Sequence, residues 1–222
     1  APVRRVDIPK PNGGTRMLGI PTLLDRTIQQ AIVMTIGDSF EDQFSDKSYG
    51  FREGRNCQQA VQRAQKYIED GNRWVVEMDL SKFFDRVNHD ILMDRVSRVI
   101  DDKAILKLIR RYLNAGIMED GLVSPRLEGV PQGSPLSPLL SNIMLPELDR
   151  ELEERGLNHV RYADDCNIYV KSEKAAQRVL TNITKYVEET LKLRVNRDKS
   201  GTFRPRDSVF LGYTFSKADC TR

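Results

Sequence analysis

The stretch Val160-Arg161-Tyr162-Ala163-Asp164-Asp165-Cys166-Asn167-Ile168-Tyr169-Val170 decides how this chain is read. Val160 on one side and Ile168-Tyr169-Val170 on the other flank the four residues Tyr162 to Asp165. That pattern predicts two strands joined by a tight turn with acidic residues at its tip. Adjacent carboxylates repel each other and are costly unless a cation sits beside them. A second stretch, Trp74-Val75-Val76-Glu77-Met78-Asp79, is an apolar strand that ends in an aspartate. If the strands are neighbours, Asp79, Asp164 and Asp165 form a cluster of three carboxylates. Hard oxygen ligands in that number suit Mg²⁺, which takes a few carboxylates together with substrate phosphates. Two such ions bridging the attacking and leaving oxygens catalyse phosphoryl transfer, the chemistry of nucleotide polymerases.

Further blocks occur in order along the chain. Ile8-Pro9-Lys10 and Arg16 with Leu18-Gly19-Ile20-Pro21-Thr22 come first, then Tyr49-Gly50-Phe51-Arg52. Met78-Asp79-Leu80-Ser81-Lys82-Phe83-Phe84-Asp85 and the run GVPQGSPLSPLLSN from Gly129 to Asn142 follow. After Tyr162–Asp165 come Asn196-Arg197-Asp198-Lys199-Ser200 and Phe210-Leu211-Gly212-Tyr213. Four residues such as Tyr-Ala-Asp-Asp recur by chance, whereas the ordered set does not. The set resembles the reverse transcriptase domain of group II intron-encoded maturases, and the resemblance covers nearly the whole chain.

The resemblance implies an α+β fold with the right-hand architecture of polymerases. An antiparallel palm sheet backed by helices would occupy residues 73–222, with part of 97–130 as a family-specific insertion. A mixed fingers subdomain would occupy residues 1–72. The family's helical thumb would follow the last strand and is not present in this sequence, so the chain reads as a fingers-and-palm fragment. Apolar surface left where a thumb docks would favour self-association.

Composition agrees. The chain has 222 residues, 39% hydrophobic content and a net charge of +3 that is unevenly spread. Residues 1–30 carry a net +3 and residues 192–206 a net +5, against −5 for the remainder. Basic charge thus gathers where the resemblance places nucleotide and nucleic-acid contacts; solvated basic loops are the plain alternative. No apolar run approaches the length of a membrane span, and no charged-then-apolar leader is visible. Cys57, Cys166 and Cys220 are widely spaced and odd in number, which argues against a disulfide framework. A cytoplasmic protein without membrane contact is the expectation.

Local signals predict the elements. Residues 1–16 read as an extended hairpin turning at Asn12-Gly13-Gly14, and Pro21-Thr22 opens a helix to about Ile36. Asn56 caps a helix closing at Gly71, and residues 73–79 form a buried strand. Asn88 caps a helix, a second spans Asp101 to Asn114, and residues 116–130 hold short strands broken by Gly121 and Pro125. Ser137-Pro138 starts one long helix through about Glu154. Ser172 caps a helix to about Leu191, and strands follow near 200–203 and 209–215.

Asp79 and Asp164 are the primary metal ligands on this reading. Successive strand residues face opposite sides, so Asp165 ranks third, reached through water. Two Mg²⁺ ions are expected, with Mn²⁺ as a substitute. The resemblance gives Phe84 the position of the aromatic that floors the sugar pocket, where a ring excludes a 2′-hydroxyl. Either Phe83 or Phe84 is then ordinary core. Asp85 is read as a structural acid. Lys10 and Arg16 match positions that hold the incoming triphosphate. Gln132 and Gly133 match the loop beneath the nascent base pair. Lys199 stands where the family has a possible general acid for pyrophosphate, and its alternative is one more charge in a basic segment. Arg4, Arg5, Arg52, Gly212 and Tyr213 are assigned to nucleic acid, the last two near the primer terminus. His89 and His159 lack ligand spacing and are assigned no metal.

The implied activity is RNA-directed DNA polymerisation: deoxynucleoside triphosphates added to a DNA primer on an RNA template, with group II intron RNA bound for splicing. The alternatives are an RNA-binding splicing factor with dispensable catalysis, or a reverse transcriptase of a retron, diversity-generating or defence system. The intact aspartates favour retained catalysis. The fragment alone is expected to extend primers weakly or not at all.

Overall fold

Capping chemistry sets the helix boundaries. The Thr22 side chain accepts from the Asp25 N–H, and Asn56 with Gln59 closes a reciprocal capping box. Asn88, Asp102 and Ser172 cap three further helices with their side-chain oxygens. The structure, a computed structural model, describes residues 1–9, 13–215 and 220–221. Its strands are β1 (Val3–Pro9), β2 (Thr15–Ile20), β3 (Trp74–Met78), β4 (Ile117–Glu119), β5 (Leu122–Ser124), β6 (Asn158–Tyr162), β7 (Asp165–Val170), β8 (Gly201–Phe203), β9 (Val209–Phe210), β10 (Tyr213–Phe215) and β11 (Cys220–Thr221). Its helices are α1 (Leu23–Ile36), α2 (Asp38–Glu41), α3 (Cys57–Glu69), α4 (Phe83–Arg86), α5 (His89–Ser97), α6 (Lys103–Leu113), α7 (Ser137–Met144), α8 (Pro146–Glu154) and α9 (Glu173–Glu189).

These elements form two compact units, each assembled from two stretches of chain: Ala1–Gln43 with Lys82–Met144, and Phe44–Ser81 with Leu145–Arg222. Contacts therefore divide the chain otherwise than at residue 72. The first unit holds a mixed sheet of order β2-β1-β4-β5, in which β1 runs parallel to β4. The short strands of 117–124 thus extend the N-terminal hairpin.

The second unit is built on an antiparallel sheet of order β6-β7-β3-β8. Side chains alternate across it. One face presents Val75, Tyr169 and Val160 to Ala60, Ala64 and Tyr67 of α3, and Phe210 and Phe215 join that cluster. Val76 and Ile168 on the other face are fully buried, and α9 packs on β3, β7 and β8 there. The single helix expected over 137–154 is instead two, α7 and α8, joined at Leu145 with Pro146 at the first position of α8. Proline lacks an N–H and crowds the preceding turn, so the helix restarts there. Among the described residues no helix is long and apolar enough to cross a membrane.

Candidate active site

The strand register brings the sequence-predicted carboxylates to one level. In the second unit Met78 pairs with Cys166, so the next residue, Asp79, continues the antiparallel ladder toward Asp165. On the other side Glu77 pairs with Gly201, and the turn at 197–199 that precedes β8 carries Lys199 to the same end of the sheet. The Lys199 Nζ lies 3.6 Å from Asp79 Oδ2. Asp79, Asp165 and Lys199 thus stand together at the end of the sheet, close enough that Asp165 feels the charges of the other two. The backbone at Asp79 is tied down from the 196–200 loop. Its N–H donates to Ser200 Oγ at 3.0 Å and its carbonyl accepts from the Asn196 N–H at 2.9 Å.

Asp164 sits in the turn itself. Tyr162 pairs with Asp165, leaving Ala163-Asp164 as a two-residue loop. Ala163 has φ +56°, whereas Asp164 does not enter the positive region. A positive φ at the first central residue alone is the pattern of a type II′ hairpin turn, a place glycine normally takes. Gly50 closes over it, for a Cβ there would lie 2.4 Å from the Ala163 nitrogen. Beneath, the Arg161 Nη1 donates to the Ala163 carbonyl at 2.9 Å.

The electrostatics are those of crowded anions. Asp165 keeps an exposed face, but the protein packed around its carboxyl, and then the charges of Asp164 and Asp79, push it up to about 6, with Lys199 opposing them. A cation beside these groups would relieve that repulsion, and the donors are hard oxygens. Among the described residues no three His, Cys, Asp or Glu side chains form a ready-made cage. Mg²⁺ requires none, since one or two carboxylates plus waters and substrate phosphates complete its shell. The residue set therefore fits the ion.

The first unit carries the residues expected to serve the nucleotide. Phe83 is buried, and Phe84, half-buried, meets it edge-on with ring centroids 5.4 Å apart. Phe83 is thus the core aromatic of the pair. Gly129, at φ +86°, presses against the backbone of α4: a Cβ there would come within 2.7 Å of the Asp85 carbonyl. The Val130 N–H donates to the Phe84 carbonyl at 2.5 Å. The loop continues onto β2, where the Gly19 N–H donates to the Gln132 carbonyl at 2.8 Å. Gln132 is half-buried, Gly133 is exposed, and Arg16 is an exposed residue of β2. Asp85 is the charge that opposes the burial of Arg126.

The remaining expected residues fall in different places. Arg4 is exposed on β1, while Arg5 is engaged by Asp7 at 3.0 Å and Glu119 at 2.9 Å. Arg52 is turned inward. It is 9% exposed, donates to the Ser45 and Ser48 carbonyls, and stacks over Phe44, so it orders its own loop. Leu211 and Gly212, both at positive φ, form the two-residue turn between Phe210 and Tyr213. Lys10 lies outside the described residues. Sequence reasoning missed Arg161, Asp149, Asn196 and Ser200. The 196–200 block flagged the last two as neighbours of Lys199, but no local pattern marks a buried arginine or its partner.

Residues 8–215 match the family described as reverse transcriptase (RNA-dependent DNA polymerase). The chain is 38% identical to Protein YkfC of Escherichia coli (strain K12), over 96% of this chain and 66% of that protein. It is 40% identical to the group II intron-encoded protein LtrA of Lactococcus lactis subsp. cremoris, over 67% of this chain and 25% of that protein. Among solved structures, apo telomerase from Candida Tropicalis matches with a TM-score of 0.70 over 99% of this chain and 48% of that one. At 14% identity that likeness concerns the fold alone, and it is the α+β fold expected from the resemblance.

Proposed function

The chain belongs to the reverse transcriptase (RNA-dependent DNA polymerase) family, and on that premise we propose that it is the fingers-and-palm region of a group II intron-type RNA-directed DNA polymerase. Residues 1–72 are assigned to the fingers and 73–222 to the palm. The observation that carries the reading is the alignment of Asp79, Asp165 and Lys199 at one end of the sheet, beside the strained turn that bears Asp164.

In this reading Asp79 and Asp164, with Asp165 in support, hold Mg²⁺. The metal, when bound, lowers the barrier to attack of a primer 3′-hydroxyl on a deoxynucleoside triphosphate. Lys199, 63% exposed, exchanges its contact with Asp79 for the departing pyrophosphate and gives it a proton. Arg16 and Lys10 meet the triphosphate, Phe84 the sugar, and Gln132 with Gly133 the base pair. The exposed Arg4 and the Gly212-Tyr213 turn meet nucleic acid. The relatives include a group II intron-encoded protein, so intron RNA is the proposed second partner.

Primer extension on an RNA template tests the proposal. In the intact protein Asp164→Ala is expected to abolish extension while RNA affinity changes little, because the carboxylate serves the metal and not the template. Robust extension by that variant would sink the assignment. Extension lost in step with RNA binding would make the domain a binding module instead.

A further inference from the structure

The acidic turn is held in a conformation its own residues do not favour. A non-glycine residue at φ +56° is strained, and such strain persists only where the surroundings impose it. Two groups do so here. Gly50 abuts the turn so closely that no side chain fits between them. The second is Arg161, the residue before Tyr162, whose side chain lies wholly inside the protein.

Arg161 uses the full fork of its guanidinium. Nε donates to Asp149 Oδ1 at 2.8 Å and Nη2 to Asp149 Oδ2 at 2.6 Å, a bidentate pair anchored on α8. Nη1 is left to reach the Ala163 carbonyl at 2.9 Å. Both members of the pair are at most 1% exposed. A buried ion pair is weak evidence for stability, since apolar residues of like volume often serve as well. Its geometry here suits another purpose. Helix α8 is rigidly connected to the carbonyl one residue before Asp164.

We propose that the Asp149–Arg161 pair positions the Asp164 carboxylate for metal binding, with Gly50 as the opposing wall. This rests on the reading of Asp164 as a metal ligand. Mg²⁺ demands near-ideal octahedral geometry, so a ligand displaced by a fraction of an ångström weakens it more than it weakens a tolerant ion. Neither residue touches substrate. Both act through the backbone of the turn.

Three variants test this: Arg161→Lys, which keeps the charge and loses the fork; the apolar pair Asp149→Leu with Arg161→Met; and Gly50→Ala, which pushes the turn from the other side. Each is made in the intact protein and measured for urea midpoint, for direct Mn²⁺ and Mg²⁺ binding without substrate, and for kcat and KM in primer extension. The expected result is a Mg²⁺ affinity about tenfold lower, a kcat reduced about 100-fold and a KM for nucleotide within about threefold of wild type. Mn²⁺ should recover much of the rate. The apolar pair should keep a near-native urea midpoint, which separates positioning from folding. Folded variants with wild-type metal affinity and kcat would overturn the proposal. So would losses that track only the folded fraction, with an unchanged metal midpoint. Asp164→Ala runs alongside: if it remains active, the metal-ligand reading itself has failed, whatever Arg161 does.

Discussion

Lys199 Nζ stands 3.6 Å from Asp79 Oδ2, the first in the turn before β8 and the second just past the end of β3. The pair is exposed enough that its own attraction contributes little to stability. Its interest under the proposed reaction is chemical, since a cation beside a carboxylate that holds the metal would have to move when metal and triphosphate arrive. If Lys199 then donates a proton to pyrophosphate, Lys199→Ala should lower kcat about 100-fold with little change in KM. Lys199→Arg should be nearly as slow, because a guanidinium does not give up its proton. Single-turnover kinetics reads this directly. Recovery of the rate by arginine would reduce Lys199 to a counter-charge.

Phe84 is the half-buried member of an aromatic pair whose other ring is core. Phe84→Ala is expected to raise the kcat/KM for a ribonucleotide relative to its deoxyribonucleotide, while Phe83→Ala mainly destabilises. The comparison is a ratio within one enzyme, so general damage cancels. An unchanged ratio would place the sugar filter elsewhere.

Gly129 supports the segment that carries Phe84. It combines φ +86° with backbone atoms 2.7 Å from where a Cβ would stand. Gly129→Ala should therefore cost about 1–3 kcal/mol of stability. The urea midpoint measures it. Gly71, also at positive φ but with open space around it, is the control, and Gly71→Ala should cost less. Equal losses would show that strain alone matters and the close approach does not.

Burial holds the His159 imidazole below its ordinary value, against the pull of Asp149 with its Oδ1 3.8 Å from Nε2. The unfolded chain takes up that proton near pH 6.5, whereas the folded protein resists it. Stability from this group is thus complete above about pH 6.5 and is lost as pH falls toward the lower folded value. Each tenfold difference in proton affinity is worth about 1.4 kcal/mol. Urea midpoints of wild type and His159→Gln should converge or cross between pH 7 and pH 5.5. A difference that stays constant with pH would contradict this.

Much of the molecule is legible along the chain because its causes are local. Asn56, Asn88, Asp102 and Ser172 start helices through bonds to N–H groups two or three residues on. The acidic turn is marked by its two carboxylates and its apolar flanks. The family is carried by blocks whose order survives without any knowledge of the fold. The tertiary structure alone decides what lies beside those residues. Register carries Asp79 toward Asp165 and the turn before β8 brings Lys199 to it, across separations of 86 and 120 residues that no local pattern encodes. Helix α8 brings Asp149 under Arg161, and loop 47–50 runs along β6, so that a glycine far from the turn determines its shape. Arg52, assigned to nucleic acid from the sequence, is drawn inward because carbonyls at Ser45 and Ser48 need donors. Local chemistry chooses elements and candidate ligands, and packing across the sheet chooses what stands beside each of them.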